Sequence, residues 1–135
     1  MATILVVEDD ILLSLDISEA LEDAGYDVIA AANADEAIKV LETRNDIRTI
    51  FTDINMPGSM DGLKLASAVR DRWPPVHIIV TTGMRAPHRD EMPANSMFIA
   101  KPYRSAEIIE AVRSFENALL KIACIKKWFH GICVP

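Results

Sequence analysis

Five short apolar runs punctuate the chain: TILVV (3–7), DVIAA (27–31), RTIFT (48–52), HIIVT (77–81) and MFIA (97–100). They are runs rather than strict alternations, the pattern of strands buried on both faces of a parallel sheet. Helical periodicities fill the intervals. Leu13, Ile17, Leu21 and Ala24 form one stripe, which Gly25 stops. Asn33, with Glu36 three residues on, resembles a capping box and precedes Ala34, Ala37, Ile38 and Leu41 on one face. Leu65, Ala66, Val69 and Trp73 form a third stripe, ended by Pro74-Pro75. A last stripe begins near Ser105 and carries Ile108, Val112, Phe115, Leu119 and Ile122. Residues 84–96, MRAPHRDEMPANS, hold two prolines and little periodicity, which predicts a loop or one short helical turn. Strand and helix in alternation imply βαβ units with right-handed crossovers and an open sheet covered on both faces.

Composition narrows the class. The 135 residues are 50% apolar and 25% charged, a balance that suits one soluble domain with a real core. A net charge of −6 argues against a general nucleic-acid surface. No secretory leader opens the chain, and no apolar run approaches the ~20 residues of a membrane span, so the cytoplasm is the expected address. Cys124 and Cys133 alone make neither a disulfide framework nor a zinc cluster. His77, His88 and His130 lack ligand spacing, and there is no phosphate-binding G-x-x-x-x-G-K-[ST] loop. The segment KIACIKKWFHGICVP (121–135) reads as an extension of the last helix and a tail, with a surface-binding helix as the alternative.

Ligands of open α/β sheets collect outside the carboxyl ends of the strands. The first strand ends in Glu8, Asp9 and Asp10, the third in Asp53, the fourth in Thr81 and Thr82, and the fifth in Lys101. Each feature alone has an ordinary explanation: acidic residues cap helices, Asp closes turns and Thr favours strands. Together they put several carboxylates, a hydroxyl and an ammonium on one rim. Crowded carboxylates repel unless a cation intervenes, and a hard divalent ion such as Mg²⁺ answers that need. Beside a metal, Asp53 could act as a nucleophile toward phosphorus, with Lys101 and a threonine hydroxyl meeting the phosphoryl oxygens.

Four segments in order, ILVVEDD, FTDINMPGSMDG, IIVTTG and MFIAKPY, resemble the signature stretches of the response-regulator receiver (CheY-like) family over roughly residues 2–120. The resemblance implies a flavodoxin-like α/β fold, a doubly wound five-stranded parallel sheet of order 2-1-3-4-5 with a short or irregular fourth helix. It implies a receiver over residues 1–120 and an extension over 121–135. By position, Asp53 resembles the phosphoacceptor. Glu8 and Asp9 resemble the acidic pair that holds Mg²⁺ with Asp53 and the Asn55 backbone carbonyl, Glu8 through water. Lys101 resembles the phosphate-contacting lysine, and its peptide to Pro102 is expected to be cis. The switch hydroxyl is ambiguous between Thr81 and Thr82; Gly83 after Thr82 favours Thr82, and Phe98 falls at the aromatic switch position. A histidine kinase or phosphotransfer protein is the implied donor. The downstream protein is unspecified, a homodimer stays open, and neither nucleic acid nor membrane is expected. With no room expected for an output domain after residue 120, a signalling protein that acts by contact or onward phosphotransfer is expected rather than an enzyme. The exposed edge near Tyr103 and Arg104 is expected to supply part of the partner surface. The alternative is a Mg²⁺-dependent phosphohydrolase using a covalent aspartyl phosphate, but the position for its second carboxylate is Asn55. A binding module that no longer takes phosphate would lack one of the rim residues. Two departures from the family pattern stand out. Gly58 and Ser59 occupy a loop position usually filled by one residue, and the interval from Thr82 to Phe98 is short and broken by proline.

Overall fold

The computed structural model describes residues 3–56, 58, 60–84 and 86–116, with the side chain of Arg89 left aside. The expectations for 121–135, and those for Leu119 and Ile122, lie outside these residues. Five strands, β1 (Thr3–Val7), β2 (Asp27–Ala31), β3 (Ile47–Asp53), β4 (His77–Thr82) and β5 (Ser96–Ala100), form one parallel sheet of order β2-β1-β3-β4-β5. Helices α1 (Ile11–Asp23), α2 (Ala34–Thr43) and α3 (Gly62–Arg72) connect the first four strands. A last helix, α4, is described over 105–116. This is the flavodoxin-like arrangement that the run-and-stripe pattern and the resemblance implied.

Side chains that alternate along the strands build two cores. On one face Leu5, Val7, Ile50, Ile78 and Val80 meet α2 and α3 through Ala37, Leu41, Leu65 and Val69. On the other, Ile4, Val6, Phe51 and Ile79 meet α1 and α4 through Ile17, Leu21, Ile108 and Val112. Both faces are therefore dry, which explains why the strands read as unbroken apolar runs. Helix starts follow local chemistry. Asp10 caps α1, accepting from the Leu12 and Leu13 amides at 3.0 and 3.3 Å. Asn33 caps α2 and Asp61 caps α3 in the same way, at 2.9 Å each. Past the end of α1, Gly25 adopts φ 101°, the left-handed conformation that glycine takes without strain.

Between β4 and β5 there is no long helix among the described residues, only a 3₁₀ turn at Arg89–Glu91. Two expectations need correction. Leu13 was placed on the buried stripe of α1, but it is exposed: the first turn overhangs the strand ends, and burial on α1 begins at Ser14. The edge near Tyr103 and Arg104 is exposed only in part: Arg104 is exposed, whereas the half-buried Tyr103 packs its ring edge-on against the buried Phe51, with centroids 5.6 Å apart and planes at 83°.

Candidate functional site

The strand order puts the carboxyl ends of β1, β3, β4 and β5 side by side. Val7 is in register with Thr52, and Asp53 with Thr81. Glu8, the next residue along β1, therefore comes beside Asp53. The two carboxylates are almost fully buried, at 4% and 5% exposure, while Asp9 is exposed. One oxygen from each of Glu8, Asp9 and Asp53 falls within 4.8 Å of the others. Asp10, the fourth of the strand-end acids, is taken up by the α1 cap. The strand-end acids thus divide into three that converge and one that caps.

Lys101, just past β5, supplies the positive charge. Its Nζ donates to Asp53 Oδ2 at 3.0 Å and lies 3.7 Å from Glu8 Oε2. Burial opposes the ammonium, but hydrogen bonding and attraction to Asp53, then Glu8, outweigh it and hold Lys101 above the usual lysine range. One ammonium does not satisfy three carboxylates. Burial, and next the charge of Asp53, push Glu8 up to about 7 despite Lys101. Glu8 Oε2 is buried without a hydrogen bond. A buried carboxylate oxygen without a donor, beside two more carboxylates, fits a hard cation with oxygen ligands.

The loop after β3 holds Asp53 in place. The Asn55 amide donates to Asp53 Oδ1 at 3.2 Å, and Ile54 N donates to Thr81 O at 2.9 Å. The start of α3 presses against the same loop. A Cβ on Gly62 would lie 2.1 Å from the Asp53 carbonyl oxygen, so only glycine fits there. Isolated in the sequence, Gly62 gave no sign of this contact.

The two threonines separate clearly. The Thr82 hydroxyl accepts from Asn55 Nδ2 at 2.6 Å and from the Met84 amide at 3.1 Å. The Thr81 hydroxyl is buried with no partner. Thr82 lies on the same sheet face as Phe98, since β4 and β5 pair Val80 with Phe98 and Thr82 with Ala100. Phe98 is half-buried against the α2–α3 core and lines a shallow hollow with Pro87, Met92 and Pro93. Lys101–Pro102 is cis, as expected, and the Lys101 amide donates to Thr82 O at 3.0 Å.

A family model for the response regulator receiver domain matches residues 4–113. This chain belongs to the response regulator receiver family. The receiver is similar to a response regulator receiver protein from Sinorhizobium medicae, at 32% identity, with 87% of this chain and 95% of that one covered and a TM-score of 0.81. It is similar also to TrrA of Thermotoga maritima, solved with Mg²⁺ and BeF, at 28% identity, 84% and 98% coverage and a TM-score of 0.73. Response regulator protein FleR of Pseudomonas aeruginosa is 31% identical over 114 residues, which are 82% of this chain and 24% of that protein. The receiver thus spans about a quarter of the length of that curated relative. Membership places the chain in two-component signalling through aspartyl phosphorylation. Among the described residues no helix is long and apolar enough to cross a membrane.

Sequence reasoning missed a feature beside this rim. Ile11, Leu12 and Leu15 on α1 are 73%, 78% and 61% exposed, and Met84 after β4 is 74% exposed. ILLSL offers more apolar residues than one helix face can bury, and that surplus was the available signal.

Proposed function

We propose that this receiver takes a phosphoryl group onto Asp53 from a histidine kinase or histidine phosphotransfer protein, with Mg²⁺. The observation that carries the proposal is the Asp53 carboxylate at a strand end, bonded to Lys101 at 3.0 Å and crowded by Glu8 and Asp9. An Asp53 oxygen attacks phosphorus; the P–O bond forms as the donor's P–N bond breaks, and the donor histidine keeps the electron pair and takes a proton. Asp9, Asp53 and the Asn55 carbonyl would hold the metal directly and Glu8 through water; when bound, Mg²⁺ neutralises phosphoryl charge. Lys101 turns part of its hydrogen bonding from Asp53 to the phosphoryl oxygens. Exposed apolar side chains at the start of α1 offer the donor protein a surface beside the rim.

The added charge of about −2 then draws the Thr82 hydroxyl away from Asn55, and Phe98 moves toward the space that opens. The phosphohydrolase reading needs a second acid–base carboxylate near Asp53. Asn55 stands there, with its side-chain Nδ2 committed to Thr82. Incubation with acetyl phosphate and Mg²⁺ tests the assignment: a hydroxylamine-labile phosphoryl adduct should form on wild type and vanish in Asp53→Asn. Wild-type labelling of that variant would overturn it.

A further inference from the structure

At the opposite end of the sheet from Asp53 lies a cleft of about 500 Å³, between the starts of β3 and β4, the α3–β4 turn and the far end of α4. Its size falls in the range of about 300–1,000 Å³ usual for small-molecule pockets. Its walls are mostly apolar, with Pro74, Pro75, Val112 and Phe115 among them. The His77 ring, also in the wall, stacks on Phe115 with centroids 4.3 Å apart and planes at 8°.

Two arginines, Arg48 and Arg70, also line the cleft. Neither has a carboxylate partner among the described residues, although the protein carries a net charge of −6. Other arginines pair: Arg44 with Asp46 at 2.6 Å and Arg72 with Glu42 at 2.9 Å. Arg70 is fixed in place by backbone carbonyls, donating to Pro74 O and, at 3.3 Å, to Asn95 O. Its Nε is buried and has no acceptor. Glu116, the acidic lining residue among the described ones, accepts from the Tyr26 hydroxyl at 3.3 Å and offsets part of the arginine charge. An apolar cleft whose described lining holds two arginines against one glutamate, with Arg70 preorganised, is complementary to a flat body bearing a negative charge.

We propose that this cleft is a second ligand site, for a planar organic anion whose apolar body lies against Phe115, Pro74 and Pro75 and whose carboxylate meets Arg48 and Arg70. Asn95 immediately precedes β5, so a ligand that engages Arg70 also bears on the connection from β4 to β5. The site is independent of the phosphoacceptor assignment.

Titration of the ¹⁵N-labelled chain with 2-naphthoate, and in parallel with neutral 2-naphthamide, tests it. Saturable shifts centred on His77, Asn95 and Phe115 are expected, with naphthoate binding at least ~10-fold more tightly than the amide, as a charge-assisted contact requires. Arg48→Gln, at an exposed position, should leave the rest of the spectrum unchanged and weaken naphthoate about 10-fold. Arg70→Lys, which keeps the charge but loses the fork, should weaken it as well. Shifts that do not saturate, equal affinity for the amide, or undiminished binding by Arg48→Gln would each overturn the proposal.

Discussion

In metal-free buffer, Glu8 should make the receiver less stable as pH rises through the weakly acidic range. The folded protein holds the Glu8 proton up to about 7, because burial and then Asp53 disfavour the charge, whereas the unfolded chain releases it near the ordinary 4.5. Between those values the native state binds more protons than the unfolded state, so stability falls with rising pH and levels off above the upper one. Each tenfold change in proton affinity is worth about 1.4 kcal/mol, so the full loss is on the order of 3 kcal/mol. Glu8→Gln keeps the shape of the side chain and removes the titration. Urea unfolding of both proteins in EDTA, from about pH 4.5 to about pH 8, should show the glutamine variant gaining on wild type by roughly that amount. Saturating Mg²⁺ should shrink the gap, since a cation favours ionised Glu8. A difference that stays flat across this range would refute the reasoning.

Asp9→Ala should raise the metal-free melting temperature by relieving repulsion and should abolish the rise that millimolar Mg²⁺ gives wild type; an undiminished Mg²⁺ response would place the metal elsewhere. Gly62→Ala should destabilise the fold by about 2 kcal/mol in denaturant titration, overpacking against the Asp53 carbonyl outweighing the better helix propensity. It should also slow phosphorylation, because the loop that must yield is the one that positions Asp53. Hydrogen–deuterium exchange should show residues 86–96 gaining protection with beryllofluoride, as expected of a proline-broken connection ordered by phosphorylation; unchanged protection would count against that switch.

The strand pattern was legible because both faces of a parallel sheet are buried, which leaves apolar runs in the order of the residues. The candidate site was legible as a cluster because strand order turns scattered positions 8, 9, 53 and 101 into neighbours. What escaped depended on contacts between distant segments. The period of α1 put Leu13 on its inner face, but where the sheet stops under the first turn is a property of the assembled fold. Tyr103 follows a proline and a lysine and precedes an arginine, polar surroundings that suggest a surface. Only the position of Phe51 across the sheet draws it inward. Likewise His77 lacks any ligand spacing, and its stacking on Phe115 joins residues thirty-eight positions apart in the chain.

Three carboxylates facing one ammonium also govern the order of encounters. With Glu8 ionised, the rim carries two uncompensated negative charges on a molecule already at −6, so a phosphodonor dianion approaches against a repulsive field. A divalent cation held as proposed would neutralise that field only once it is in place. For the phosphotransfer proposed above, the kinetically favoured sequence would therefore be cation first and donor second, with raised ionic strength speeding capture of small donors whenever the cation is scarce. A protein donor escapes much of this penalty, since it can approach across the apolar side chains of α1 and present its phosphoryl group after contact is made.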